Sequence, residues 1–339
     1  MISEAIFLVQ KGPAKQAFKR QEITLPPLKN SEVLIESEAF GLNYADVMAR
    51  NGLYREAPAM PCVIGYEVVG KIIEVGPDGD KEKIGQRVLA FCRFGGYSRH
   101  VTTSALAALP IGDLPAEEVL ALSTQGVTAF YMTDYLAAIQ KGERVLIHAA
   151  AGGVGTLLIQ LAKRRGAVVI AKVGSDDKAK IARAMGADFT INYRSKDYYN
   201  VLNAQPKIDI SYNPVGGSTF KKDFKRLNPG GRLFLFGGSE LSGGKFGIFS
   251  SMNFLRKMGL LLPAVLMMTS KSILGVNMLK IADNKPEVMH TCLAAVLDLY
   301  KKKEIKVVVG KVYSVNDISE AHDYLESGTS SGKISICWN

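Results

Sequence analysis

Val145-Leu146-Ile147-His148-Ala149-Ala150-Ala151-Gly152-Gly153-Val154-Gly155 decides the fold: an apolar run stops in glycines and resumes as Leu157, Leu158 and Leu161, spaced along one face of a helix. A strand that turns into a helix through glycines is the opening of a dinucleotide site. Gly152 lets backbone approach a pyrophosphate and Gly155 permits close packing of helix on sheet. The N–H groups at the start of the helix, around Gly153 and Val154, would hold the anion. Position 150 is Ala where the GxGxxG fingerprint has its first glycine, so the string gains its weight from the segments downstream of it.

Those segments alternate. Strands are expected at 144–148, 168–173, 189–192, 208–212 and 232–236, with helices at 154–165, 178–185 and 220–227. The strands are apolar throughout, which implies a parallel sheet covered on both faces, the α/β class with a doubly wound order. An NAD site places an acid near the end of the second strand. Here that strand ends Lys172-Val173-Gly174-Ser175, with Asp176 and Asp177 one step later and Lys178 beyond. Ser175 or Asp176 has an ordinary role as a helix cap. A strand end without its own acid, beside Ser175 and Lys178, nevertheless fits a 2′-phosphate, so NADPH is expected.

Upstream, Val33-Leu34-Ile35, Val68 to Val75 and Arg87 to Phe91 read as short strands broken by Gly, Pro and Asp, a compact and partly open barrel. Downstream, a strand at 273–276 precedes a helix opened by Pro286 and Glu287, then strands at 307–312 and 333–337 flank a helix at 318–325. The expected domains are 1–122, completed by the returning tail 304–339, and 123–303. Gly259 to Met268 is the most apolar stretch, half the length a bilayer span needs and interrupted by Pro263. It reads as a buried or pocket-lining helix, with an interfacial membrane contact as the alternative. The longer segment Phe246 to Met268 could cap an apolar cleft.

The composition narrows the classes. In 339 residues, 42 Lys and Arg against 32 Asp and Glu give a net charge of +10, and the 33 glycines follow no period, which excludes collagen and solenoid repeats. The basic residues are interspersed with acids, and no nucleic-acid partner is expected. Cys62, Cys92, Cys292 and Cys337 form no CxxC pair, and Met1 to Val9 has no signal-peptide pattern, so the expectation is a cytoplasmic protein with reduced thiols. His100, His148, His290 and His322 form no i, i+4 pair and read as satisfied or surface imidazoles.

Several motifs now resemble the zinc-independent quinone oxidoreductase branch of the medium-chain dehydrogenase/reductase superfamily, including members like vesicle amine transport protein 1. They are Gly41-Leu42-Asn43-Tyr44-Ala45-Asp46, Gly52-Leu53-Tyr54, Gly65-Tyr66-Glu67, Ala149 to Gly155, Ile191-Asn192-Tyr193-Arg194, Asn213-Pro214-Val215-Gly216-Gly217, Gly230-Gly231-Arg232 and Ser272 to Asn277. The resemblance covers nearly the whole chain. It implies a GroES-like catalytic domain built from both chain ends, a Rossmann domain between them, and a homodimer formed through edge strands near Ile273. By the same likeness Ser175, Lys178 and Tyr193 surround the 2′-phosphate, Thr128 faces the nicotinamide, Gly237 and Asn277 line the coenzyme, and Asn43 and Tyr54 approach the substrate. Where bacterial relatives carry a phosphate-binding Arg this chain has Gly328, with Lys333 as a substitute.

Zinc enzymes of the superfamily use a Cys in the first motif and a His in a GHE motif. Here the first motif has no Cys and position 66 is Tyr, so no zinc is expected. The implied activity is hydride transfer from NADPH to a quinone or another conjugated carbonyl. The alternatives are an enone or alkenal double-bond reductase, and a coenzyme-binding protein that acts at a membrane or through partners.

Overall fold

The structure, a computed structural model, describes residues 1–243 and 248–338. Contacts divide it into two compact units, Met1–Val127 with Leu279–Asn339, and Thr128–Met278.

The second unit is a six-stranded parallel sheet. Its strands are β1 (Arg144–Ile147), β2 (Val168–Val173), β3 (Phe189–Asn192), β4 (Ile208–Asn213), β5 (Leu227–Leu235) and β6 (Ser272–Gly275). Their spatial order is 3-2-1-4-5-6, the Rossmann order, with the reversal between β1 and β4. Between the first five strands lie the helices α1 (Gly153–Arg164), α2 (Asp176–Ala184), α3 (Tyr198–Asn203) and α4 (Phe220–Arg226). One core layer gathers Leu146, Ile170, Ile191, Ile208 and Leu233 from five neighbouring strands under Tyr198, Leu202 and Phe220. Strands that are mainly apolar thus find cover from the helices, as the sequence pattern required.

The first unit is antiparallel in the main. Glu32–Leu42 is its central strand, pairing with Glu67–Val75 on one side and with the chain's last strand, Lys333–Cys337, on the other. The tail is inserted between Glu32–Leu42 and Val309–Ser314, with Ile334 opposite Leu42 and Ile336 opposite Phe40. Ile2–Leu8 and Phe18–Thr24 form a separate two-stranded sheet.

Two expectations are corrected. Residues 279–303, assigned by pattern to the Rossmann domain, group with the first unit. The reason is the helix Pro286–Lys301, whose buried face carries Cys292, Leu293 and Val296 and lies against the segment around Gly126. A Cβ at Gly126 would stand 2.8 Å from Val296 Cγ1. The apolar run expected to be a buried helix is instead a short helix, Pro263–Thr269, in which Met267 is 81% and Met268 85% exposed. Phe246, part of the proposed cleft cap, lies outside the described residues.

Candidate active site

The glycine loop has the geometry its sequence calls for. Helix α1 begins after Gly152, and no side chain caps its first N–H groups. Four donors at a helix start have no intrahelical acceptor, so an uncapped start facing outward is an anion site. Gly155 is obligatory, because a Cβ there would stand 2.7 Å from Ala150 Cα. At Gly152, among the described residues, the only near neighbour of such a Cβ is Ala149 O at 3.2 Å, so that side of the loop is open. Two backbone bonds pin the loop: His148 N donates to Tyr212 O at 3.1 Å and Ala150 N to Lys172 O at 3.2 Å. Between them Ala149 takes a left-handed conformation, φ +49°.

The corner after β2 assembles the expected 2′-phosphate residues. Ser175 caps α2, its Oγ accepting from Lys178 N at 3.2 Å. Tyr193 N donates to Val173 O at 3.0 Å, which lays the tyrosine across the end of β2. A Cβ on Gly174 would stand 3.1 Å from its hydroxyl. Lys178 is shifted below the usual lysine range, first by burial and then by the like charge of Arg194. Arg194, not singled out as a ligand by sequence reading, therefore adds its charge to this corner. Asp176, the nearest acid in sequence, is turned to Asn192 Nδ2 at 3.0 Å. The other expected coenzyme residues are Thr128, buried at the start of this unit, and Gly237 and Asn277, both exposed beyond β5 and β6. A Cβ at Gly237 would meet Pro214 O at 2.7 Å, so its glycine is required by packing.

The first unit holds a buried charged cluster built from both chain ends. Asn43 is the N-cap of the helix Tyr44–Arg50, and the Asp46 carboxylate accepts from its N–H at 2.7 Å. Asn43 Nδ2 donates to Glu67 Oε1 at 2.8 Å, and Thr124 N donates to Glu67 Oε2 at 2.7 Å. Lys333 completes the cluster. Its Nζ donates to Leu42 O at 3.1 Å and Asn43 Oδ1 at 3.2 Å and pairs with Glu67, both side chains being fully buried. This corrects the reading of Lys333 as a phosphate ligand. Its strand turns it inward, and the ammonium is consumed by the Glu67 pair. The absent side chain at Gly41 makes the room, since a Cβ there would stand 2.6 Å from Lys333 Nζ.

Tyr54 stands beside this cluster, half buried, edge to face with Tyr66 at 6.4 Å and 81°. Burial, then the charges of Glu56 and Asp46, push its hydroxyl up to about 12, so near neutral pH it is a neutral donor. Burial also raises Asp46 to about 7. Asn43, by contrast, has its amide spent on Glu67 and Lys333. The first motif thus has its amide engaged, position 66 is a tyrosine, and the buried cation beside Glu67 is the Lys333 ammonium. Among the described residues no group of three His, Cys, Asp or Glu side chains could hold a metal ion.

Sequence comparison agrees with this architecture. Residues 29–134 match the alcohol dehydrogenase GroES-like domain family and 153–297 the zinc-binding dehydrogenase family. Quinone oxidoreductase 1 of Escherichia coli is 30% identical over 95% of this chain and 95% of its own length. The zebrafish synaptic vesicle membrane protein VAT-1 homolog is 31% identical over 91% of this chain, which spans 64% of that relative's length. The crystal structure of the Escherichia coli quinone oxidoreductase complexed with NADPH has a TM-score of 0.83 at 27% identity, covering 98% of this chain and 99% of that one. A quinone oxidoreductase of Pseudomonas syringae gives 0.85 at 26% identity, over 99% of each chain. By fold, site and sequence together, the chain belongs to the quinone oxidoreductase branch of the medium-chain dehydrogenase/reductase superfamily.

Proposed function

We propose that this protein is an NADPH-dependent oxidoreductase that reduces quinones or other conjugated carbonyls without zinc. The observation that carries the reading is the pairing of an uncapped glycine-loop helix with a basic corner after β2, where Ser175, Lys178, Tyr193 and Arg194 meet and the neighbouring Asp176 is bonded away. The related Escherichia coli enzyme crystallised with NADPH supports the same coenzyme here.

The residues fit the coenzyme's parts. Gly152, Gly153, Val154 and Gly155 would hold the pyrophosphate on the start of α1, and Ser175, Lys178 and Tyr193 the 2′-phosphate. Thr128, Gly237 and Asn277 would border the remainder. When bound, the reduced nicotinamide supplies a hydride to the acceptor, is itself oxidised, and a proton from solvent or a side chain completes the two-electron reduction. With no Lewis acid to stabilise an alkoxide, an acceptor that spreads the added charge over a conjugated system is favoured. The protein's part is positioning and exclusion of water. Tyr54, neutral and half buried, is the proposed donor to the developing oxyanion. Asn43 acts at one remove, tying the helix Tyr44–Arg50 to the buried Glu67 and Lys333 pair. A homodimer joined near β6, in the cytoplasm, completes the proposal.

Following NADPH oxidation at 340 nm against a panel of quinones, enones and alkenals tests the reading. Turnover of a conjugated acceptor after chelation supports it, and silence across the whole panel overturns it. Tyr54→Phe is expected to lower kcat about tenfold or more on a quinone with NADPH binding unchanged.

A second reading, contact with a membrane surface, is favoured by one segment. Between Glu240 and Asp283 the sequence carries no carboxylate side chain but includes Arg256, Lys257, Lys271 and Lys280. Met252, Leu255, Leu260, Leu262, Met267 and Met268 are all exposed there, Leu260 completely. Apolar side chains fringed by cations fit the boundary of an anionic bilayer. Among the described residues no helix is long and apolar enough to cross a membrane. Cosedimentation with anionic but not neutral liposomes, lost on charge insertion at Met267 and Met268, is the expected result.

A further inference from the structure

Lys172 interrupts the apolar strand Val168-Val169-Ile170-Ala171-Lys172-Val173 and is only 7% exposed. Its Nζ lies 3.2 Å from His148 Nδ1, 4.0 Å from the centroid of the Tyr198 ring and 4.9 Å from that of Tyr193. No carboxylate among the described residues is within ion-pair distance of it. Asp223 is reached through His148, whose Nε2 stands 2.8 Å from Asp223 Oδ2. Asp223 is itself well supplied with donors: Ser211 Oγ at 2.8 Å, Asn213 Nδ2 at 2.7 Å and Tyr198 OH at 3.2 Å. A buried cation whose direct neighbours are two aromatic faces and an imidazole is costly to keep, and a strand residue of this kind needs an anion to offset that cost.

The position indicates which anion. Lys172 is the penultimate residue of β2, and Tyr193, one of the two rings over its ammonium, also lies across the end of that strand toward Gly174 and Ser175. The end of the second Rossmann strand is where the 2′ position of the adenosine ribose is read.

We propose that Lys172 is a third cation of the 2′-phosphate site, held beneath Tyr193 by His148 and Tyr198, and that it sets how strongly this protein prefers NADPH over NADH. The proposal rests on the Ser175 and Lys178 corner being the 2′-phosphate site. It gives His148 a role as well: with Lys172 donating to Nδ1, the proton of the neutral ring sits on Nε2, facing Asp223. Every element around the ammonium contributes a group. His148 follows β1, Tyr193 follows β3, Asp197 caps α3 and Tyr198 opens it, Lys222 and Asp223 lie on α4, and Glu240 follows β5. Burial lowers Lys172 to about 8, with Lys222 adding to the shift and the three carboxylates opposing it. The ammonium is therefore present at neutral pH and lost as pH rises past about 8, and NADPH binding above that pH should be accompanied by uptake of a proton onto Lys172.

The test measures dissociation constants of NADPH and NADH by coenzyme fluorescence between pH 7 and 9.5, for the wild type and for Lys172→Met, Lys172→Arg and Lys178→Ala. The wild type needs no substitution to be informative: its preference for NADPH is expected to fall several-fold across this range. At pH 7 Lys172→Met should lose about tenfold of that preference through NADPH alone, the worth of one charge-assisted contact, and show a shallower pH dependence. Lys172→Arg should keep the preference and flatten the profile. Equal weakening of both coenzymes by Lys172→Met, or a preference and slope like the wild type's, overturns the proposal. Loss of preference in Lys178→Ala beside an unchanged Lys172→Met sinks Lys172 alone. If neither variant changes the preference, the reading of the corner itself falls.

Discussion

Replacing Lys333 by Met is the sharpest perturbation available in the first unit. Methionine keeps the unbranched stem, one atom shorter, and removes its charge. The structure fixes what is lost: three acceptors, Glu67 Oε1, Leu42 O and Asn43 Oδ1, lose a donor, and Glu67 becomes a fully buried anion facing only Asn43 Nδ2 and Thr124 N. Breaking a buried pair from one side costs about 3–5 kcal/mol, mostly the penalty of the stranded charge. For a unit of this size that is a fall in melting temperature of order 10 °C. Adding Glu67→Gln removes the stranded charge, so the double variant should be more stable than Lys333→Met by about 2 kcal/mol, although it carries one substitution more. Scanning calorimetry at pH 7 on the three variants and the wild type gives the cycle. A loss below about 1 kcal/mol for Lys333→Met, or a double variant whose loss equals the two singles added, would refute the argument that the pair is a coupled buried unit. The same variant separates the two readings of Lys333. Once folded it should keep its preference between NADPH and NADH, and a selective loss of NADPH would restore it as a phosphate ligand.

Other consequences are as direct. Gly155→Ala drives a Cβ into the Ala149 and Ala150 backbone, so it should weaken coenzyme binding at least tenfold and destabilise the Rossmann unit by about 1–3 kcal/mol, read by fluorescence titration and thermal unfolding. Asp46 is raised to about 7 in the folded protein against an unfolded value near 4, so its contribution is intact below pH 4 and lost as pH rises to 7. Asp46→Asn should therefore be more stable than the wild type at pH 8, with the difference shrinking toward pH 4 in urea titrations. Dialysis against a chelator should leave turnover of a conjugated acceptor unchanged, and a loss restored by stoichiometric zinc would contradict the donor set around Asn43 and Tyr66.

The Rossmann unit was legible because its signals are local. The glycine loop, the apolar strands and the capping serine each sit within one element, and the observed strands at 168–173 and 189–192 coincide with those expected. Leu227–Leu235 starts five residues before its expected position, since Asn228-Pro229-Gly230-Gly231 reads as a turn while its pairing with Ile208–Asn213 tolerates a register shift there. Side chains whose surroundings are assembled from distant segments were not legible. Lys333, close in sequence to Gly328, reads as a stand-in for a phosphate-binding Arg, yet its neighbours Leu42, Asn43 and Glu67 come from a segment about 270 to 290 residues earlier. His148 reads as a satisfied or surface imidazole and is buried, with Lys172 and Asp223 beside it, but these neighbours come from different elements and could be found only as a polar interruption of an apolar strand. The exposed run at 260–268 misled for the opposite reason, because apolar composition records a preference for burial and not whether a single chain supplies the cover.

The last strand, Lys333–Cys337, threaded between Val309–Ser314 and Glu32–Leu42, has a consequence for biogenesis. The central strand of the first unit emerges from the ribosome some three hundred residues before this neighbour, so that sheet edge stays open until Lys333–Cys337 has been made. The nucleotide-binding unit, continuous in sequence, can close first and act as a finished bead on an unfinished string. Emergence of Lys333–Cys337 then becomes the event that closes this sheet, and a chain clipped just before Lys333 should leave a sticky edge where a paired one belongs.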